Sequence, residues 1–179
     1  MPTDAGWIET STLPSRSALL DALRAEADLP AHAHPVLADA RALARCHERR
    51  TRAVALVRAH DSSPISAAVI SAAVVEDIDR ERATMVDRIN AWVATHLAHR
   101  QGASLHTETL GAIIDRIAAK WVAAQAHGRE PAHALGRPPG REPASDEAHR
   151  CGRRLAELAD GYQVLVTEVA QHRRRLPVH

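Results

Sequence analysis

Apolar residues recur along this chain with helical spacing, and four long stretches carry the pattern. In the first, Val36, Ala40, Leu43, His47, Arg50, Val54 and Val57 step by four and three residues, which is a bundle seam. Ile78, Met85, Ile89, Trp92 and His96 keep helical spacing along the second. Ile113, Ile114, Ile117, Trp121 and Ala124 do so along the third. Leu155, Leu158, Tyr162, Leu165, Val169 and His172 form another four-three seam. No segment reads as a strand. The pattern predicts an all-α fold: an antiparallel helical bundle of four long helices plus a short N-terminal helix.

Breakers and caps set the boundaries. Ser15 or Ser17 caps a short helix carrying Leu19, Leu20 and Leu23, and Pro30 and Pro35 bound a loop holding His32 and His34. The next helix runs from Val36 to about Arg58. Asp61-Ser62-Ser63-Pro64 is a break and restart, with Ser63 as N-cap and Pro64 in the first helical position. The following helix reaches about His99 and ends at Gly102. A third starts after Thr107-Glu108-Thr109 and stops near Gly128. The last starts near Ser145 and is over by Pro177. Residues 1–14 read as a flexible arm, and the Pro/Gly-rich stretch 128–144 as a flexible loop within one domain, 15–176.

Composition narrows the function classes. The chain has 179 residues with 23 basic and 22 acidic side chains. A net charge of +1 argues against nucleic-acid binding through overall charge. The local runs Arg49-Arg50 and Arg173-Arg174-Arg175 are read as solvated helix ends. There is no Phe, and aromatics make up 2%, so Ala, Val and Leu must build the core. No apolar run has the length of a membrane span, and no signal peptide is evident, so the expected location is the cytoplasm. Two cysteines, Cys46 and Cys151, do not make a disulfide scaffold and read as small core residues. The 12 histidines lack zinc or di-iron spacing, so neither a metal nor another cofactor is expected.

The richest chemistry lies in Leu105–Ile117, where a small polar cluster meets the start of an apolar helix. Thr107 or Thr109 can cap that helix, and a helix N-terminus is a place where anions bind. Arg116 and Lys120, at i and i+4, share a face and can clamp a sulfate or phosphate. Asp115 or Glu108 can take a proton. His47, an interruption in an apolar seam, is either a satisfied core histidine or a base facing the Thr107–Asp115 region. The plain alternative for Thr107–Lys120 is a capped helix with a solvated charged face.

Together, certain residues carry a family resemblance. They are His47, Asp77-Ile78-Asp79-Arg80-Glu81-Arg82 with Asp87-Arg88-Ile89-Asn90, His106-Thr107-Glu108-Thr109-Leu110-Gly111 leading to Ile114-Asp115-Arg116, and Leu155-Ala156-Glu157-Leu158. The chain resembles the domain of unknown function 4254 over roughly residues 35–175. Where the family pattern places a serine, a lysine and a histidine, Ala118, Ala123 and Ala126 occupy or neighbour the positions here. The resemblance implies an actinobacterial companion of specialised-metabolite (antibiotic) pathways that works as a hetero- or homo-oligomer with a related helical chain. It also implies one cofactor-independent chemistry, intramolecular ring closure to an aziridine with loss of a sulfate group. On that expectation Asp115, Glu108 and His47 are the catalytic candidates. Thr107, Arg116 and Lys120 are the substrate-binding ones, taking an anionic small molecule. The competing expectation is a non-catalytic helical partner that stabilises a related catalytic subunit.

Overall fold

The computed structural model describes residues 12–27, 29–59, 64–97, 102–128 and 143–177. They form five helices: α1 (Arg16–Arg24), α2 (Pro35–Ala59), α3 (Pro64–His96), α4 (Leu110–Gly128) and α5 (Pro143–Ala170). The fold is all-α, with four long helices and a short first one. Ser15 caps α1 by accepting from the Ala18 amide. Proline opens α2, α3 and α5, where its fixed φ suits the first turn and its missing N–H costs nothing. Ser63 and the 129–142 part of the expected loop lie outside the described residues. Of the expected arm, residues 1–11 also lie outside them, while Leu13 packs on the core and the Pro14 carbonyl accepts from the buried Tyr162 hydroxyl at 2.8 Å.

The seams pack on one another as their spacing requires. Val36, Ala40 and Leu43 of α2 meet Ile89, Trp92 and Val93 of α3, Ile113, Ile114, Ile117 and Trp121 of α4, and Tyr162 and Leu165 of α5 in one core. Each large apolar side chain removed from water there contributes roughly 1.5–3 kcal/mol. Asp39 pairs with Arg88, Arg49 with Glu81 and Arg50 with Asp79, so position numbers rise on α2 as they fall on α3. That order makes the two helices antiparallel.

α3 and α4 cross closely at Gly111. A Cβ there would lie 2.5 Å from the Val86 carbonyl oxygen and 2.9 Å from Asn90 Oδ1. Glycine removes that obstacle, and its amide donates to Asn90 Oδ1 at 2.9 Å.

Two expectations need correction at the end of the chain. The last helix stops at Ala170, so His172 is not on its seam but in an exposed turn with φ 55°. Arg173-Arg174-Arg175 is not a helix end. Arg174–Arg175 forms β2, which pairs in parallel with β1, Ser104–Leu105. Strands of two residues are too short for an alternating pattern to show in sequence. They tie the segment ahead of α4 to the segment after α5, and Leu176 beyond them is buried in the core.

Candidate functional site

Three helices meet at a polar layer centred on Asp115. His47 of α2 lies with Nε2 2.8 Å from Asp115 Oδ1. Arg82 of α3 holds both carboxylate oxygens, with Nε 3.2 Å from Oδ1 and Nη2 2.7 Å from Oδ2. The third guanidinium nitrogen, Nη1, donates to Asp79 at 2.7 Å, and Arg50 reaches the same Asp79 oxygen at 3.3 Å. Side-chain exposure rises outward, from 12% at His47 through 18% at Asp115 to 26% at Arg82. Asp79 and Arg50 finish the layer at the surface. The layer thus runs from the core edge to solvent and uses one residue set from each of α2, α3 and α4.

Its electrostatics centre on the carboxylate. Burial pushes the Asp115 carboxyl up, but hydrogen bonds from His47 and Arg82, and their charges, outweigh it and hold the group at about 2. Asp115 is therefore ionised near neutrality and accepts only. His47 Nε2 must then donate the proton it shares with Asp115. A carboxylate already gripped by a bidentate guanidinium is a poor base. Asp115 thus holds the His47 ring in place on one side while Arg82 grips the carboxylate from the other.

The residues expected around Thr107–Lys120 do not converge. Helical geometry turns about 100° per residue, which sets Arg116 and Lys120 roughly 100° and 140° around α4 from Asp115. Asp115 faces α2 and α3, whereas Arg116 is exposed and donates twice to Glu108, both bonds 2.7 Å. Glu108 and Arg116 satisfy each other on the surface. Lys120 is half-buried and has no ion pair among the described residues. Thr107 is exposed in the turn before α4. Thr109 is the cap: its hydroxyl accepts from the Ala112 amide at 3.3 Å. With Asn90 on the Gly111 amide, these two first-turn donors of α4 are taken by the protein's own oxygens.

Sequence spacing singled out His47 and Asp115 but not Arg82, Asp79 and Arg50 as their partners. The available signal was the interruption of the α2 seam by His47 and Arg50, together with the charged middle of α3.

The other reactive groups sort simply. Cys46 is buried; its thiol is pushed up by burial and by the Glu81 carboxylate it faces at 3.7 Å, the opposite of nucleophile activation. It turns to Glu81 while neighbouring His47 turns to Asp115, as adjacent helical residues must. His34 and His96 flank Trp92, one edge-on and one stacked, with ring centroids 4.6 and 4.7 Å away. Among the described residues no group of three His, Cys, Asp or Glu side chains is placed to hold a metal ion, and no helix is long and apolar enough to cross a membrane.

A model of one protein family matches residues 38–178, from the first turn of α2 through the segment after α5. The chain belongs to that family, described as protein of unknown function (DUF4254). The DUF4254 match spans α2 to α5 and so contains the whole Asp115 layer, while α1 precedes it. No curated protein and no solved structure matches the chain. Of the three alanines expected to depart from the family pattern, Ala118 is fully buried, Ala123 half-buried and Ala126 exposed.

Proposed function

We propose that this chain is a subunit of a small-molecule biosynthetic enzyme in which His47 accepts a proton at Nδ1, held in place by Asp115 and Arg82. The observation that supports it is the shared carboxylate: one oxygen 2.8 Å from His47 Nε2, both oxygens gripped by Arg82. A fixed tautomer beside a half-exposed arginine suits a reaction that loses a proton and releases an anion.

Ring closure with sulfate loss has that form. An amine nitrogen attacks the neighbouring carbon that carries a sulfate ester. The C–N bond forms, the C–O bond breaks with its electron pair leaving on sulfate, and the amine proton passes to His47. No oxidant, reductant or cofactor is needed. Arg50, half-exposed with only a 3.3 Å contact to Asp79, is the cation of this layer best able to turn toward the departing sulfate. Antibiotic biosynthesis in an actinobacterium, in the cytoplasm and beside a related chain, is the setting that belongs to this reading.

A second reading, the non-catalytic helical partner, draws on Leu56 of α2 and Val74 of α3. Both are large apolar side chains left exposed on helices that pack against each other. One experiment separates the two. The chain is co-expressed with a related DUF4254 chain, checked for a heteromer by native mass spectrometry, and given a vicinal amino-alcohol O-sulfate while sulfate release is followed. On the enzyme reading, His47→Gln lowers turnover by about 10²–10⁴-fold with assembly intact. Full turnover in a His47→Gln heteromer would leave the partner reading in its place.

A further inference from the structure

A second polar region lies between α1, α2 and α4, and its central side chain is short of partners. Arg41 of α2 is only 8% exposed. Its Nη1 makes two long contacts, 3.5 Å to the Leu23 carbonyl and 3.4 Å to Glu48 Oε1. Its Nε is buried and has no hydrogen-bond partner at all. Buried polar groups are almost always bonded, and a guanidinium, charged at every physiological pH, is the least able to go without.

Arg41 also lines a cavity of about 470 Å³, within the size range of small-molecule sites. Arg24 and Arg52 line it too, with Glu26, Glu48, Thr51 and Trp121. Arg52 has no ion pair among the described residues, whereas Arg24 pairs with Asp21 one turn back at 3.3 Å and lies over the Trp121 ring, 5.6 Å from its centroid. Three guanidiniums against two carboxylates line the cavity, and the buried guanidinium among them carries an unbonded N–H just beneath its wall, which points to an acceptor with more than one oxygen as the missing piece.

We propose that this cavity is a binding site for the oxyanion head (carboxylate, sulfate or phosphate) of a small polar molecule, with Arg41 as its principal contact. Nε and its neighbouring nitrogen form the guanidinium edge that takes such a group by two parallel bonds. Arg52 adds charge at the rim, and Glu48 competes with the ligand for Arg41. The site stands apart from the Asp115 layer, and the inference holds whether or not His47 is catalytic.

Trp121 provides the readout. The full chain, labelled with ¹⁵N, is titrated with acetate, inorganic sulfate and inorganic phosphate, each against sodium chloride of equal ionic strength. The Trp121 indole resonance, assigned with Trp121→Phe, is expected to move saturably with at least one oxyanion and not with chloride. Arg41→Met is expected to weaken that binding by about tenfold or more, and Arg52→Gln by a smaller factor. Glu48→Gln removes the competitor and is expected to tighten binding, a direction that general damage to the fold would not produce. Which anion binds best distinguishes the three head groups. The absence of saturable shifts with every oxyanion, the shape of a cavity that holds only water, would overturn the proposal. So would equal affinities in the parent, Arg52→Gln and Glu48→Gln proteins.

Discussion

Two polar regions sit on the inner side of α2, and they are satisfied to different degrees. In the Asp115 layer the carboxylate accepts from His47 and twice from Arg82, and the remaining Arg82 nitrogen finds Asp79. In the α1 cavity Arg41 makes two long contacts and leaves Nε without an acceptor. A saturated network fixes geometry: it sets the register of three helices and the tautomer of one histidine. An unsaturated one waits for a partner. The contrast follows from what each helix supplies. At Asp115, α3 brings a cation and α2 a histidine to one anion. At Arg41, the nearest anion, Glu48, is on the same helix seven residues on, where it reaches only one end of the guanidinium at 3.4 Å.

The largest effect expected from breaking the contrast is at Asp115. Asp115→Ala leaves Arg82 and His47 facing each other without the anion between them. Removing one partner of a largely buried pair costs about 3 kcal/mol, which would appear as a lower urea midpoint with an unchanged slope. A loss no greater than that of an exposed surface substitution would show that the layer does not hold the helices.

Acid sharpens the same point with a smaller effect. The Asp115 carboxyl is depressed in the folded chain, from 3.8 to about 2. A depressed acid stabilises the fold above its unfolded value and loses that contribution as pH falls through its folded value. The benefit is roughly 2 kcal/mol at neutral pH, begins to fall below about pH 5, and is lost completely only below about pH 2. Unfolding curves at neutral pH and near pH 3 check this against Asp115→Asn. The gap in stability between parent and variant is expected to narrow on acidification; a constant gap would contradict the ionised, doubly held carboxylate.

The fold was legible because four seams spell out their helices, and because proline and serine mark the starts at Ser15, Pro35 and Pro64. What stayed hidden was whatever depends on contacts between distant segments. The β1–β2 pair is too short to have a period. Half of the site could be read: His47 and Asp115 stand out as polar residues on apolar helices. Their link to Arg82 could not, since no local rule joins residues 33 apart and the α3 middle holds several equivalent charges. The expected clamp of Arg116 and Lys120 was sound as helix geometry, but spacing along α4 gives no sign that Glu108, eight residues back, folds over to take both nitrogens of Arg116. The expected anion site at the start of α4 met a similar limit. Asn90, which takes the Gly111 amide, comes from another helix.

The smallest effect is expected at Arg41, and it carries the most information. A buried charge with poor bonds contributes little net stability, because the cost of taking it from water is hardly returned by two contacts near the limit of a hydrogen bond. Methionine keeps much of the side chain's apolar length and removes the orphan Nε. Arg41→Met is therefore expected to stay within about 1 kcal/mol of the parent in urea, on either side. Set beside a loss of about 3 kcal/mol at Asp115, that result would separate a residue the fold depends on from one it merely tolerates. A loss at Arg41 as large as that at Asp115 would reverse the assignment. The contact to the Leu23 carbonyl would then be what holds α1 against α2, and the cavity a by-product of that strut.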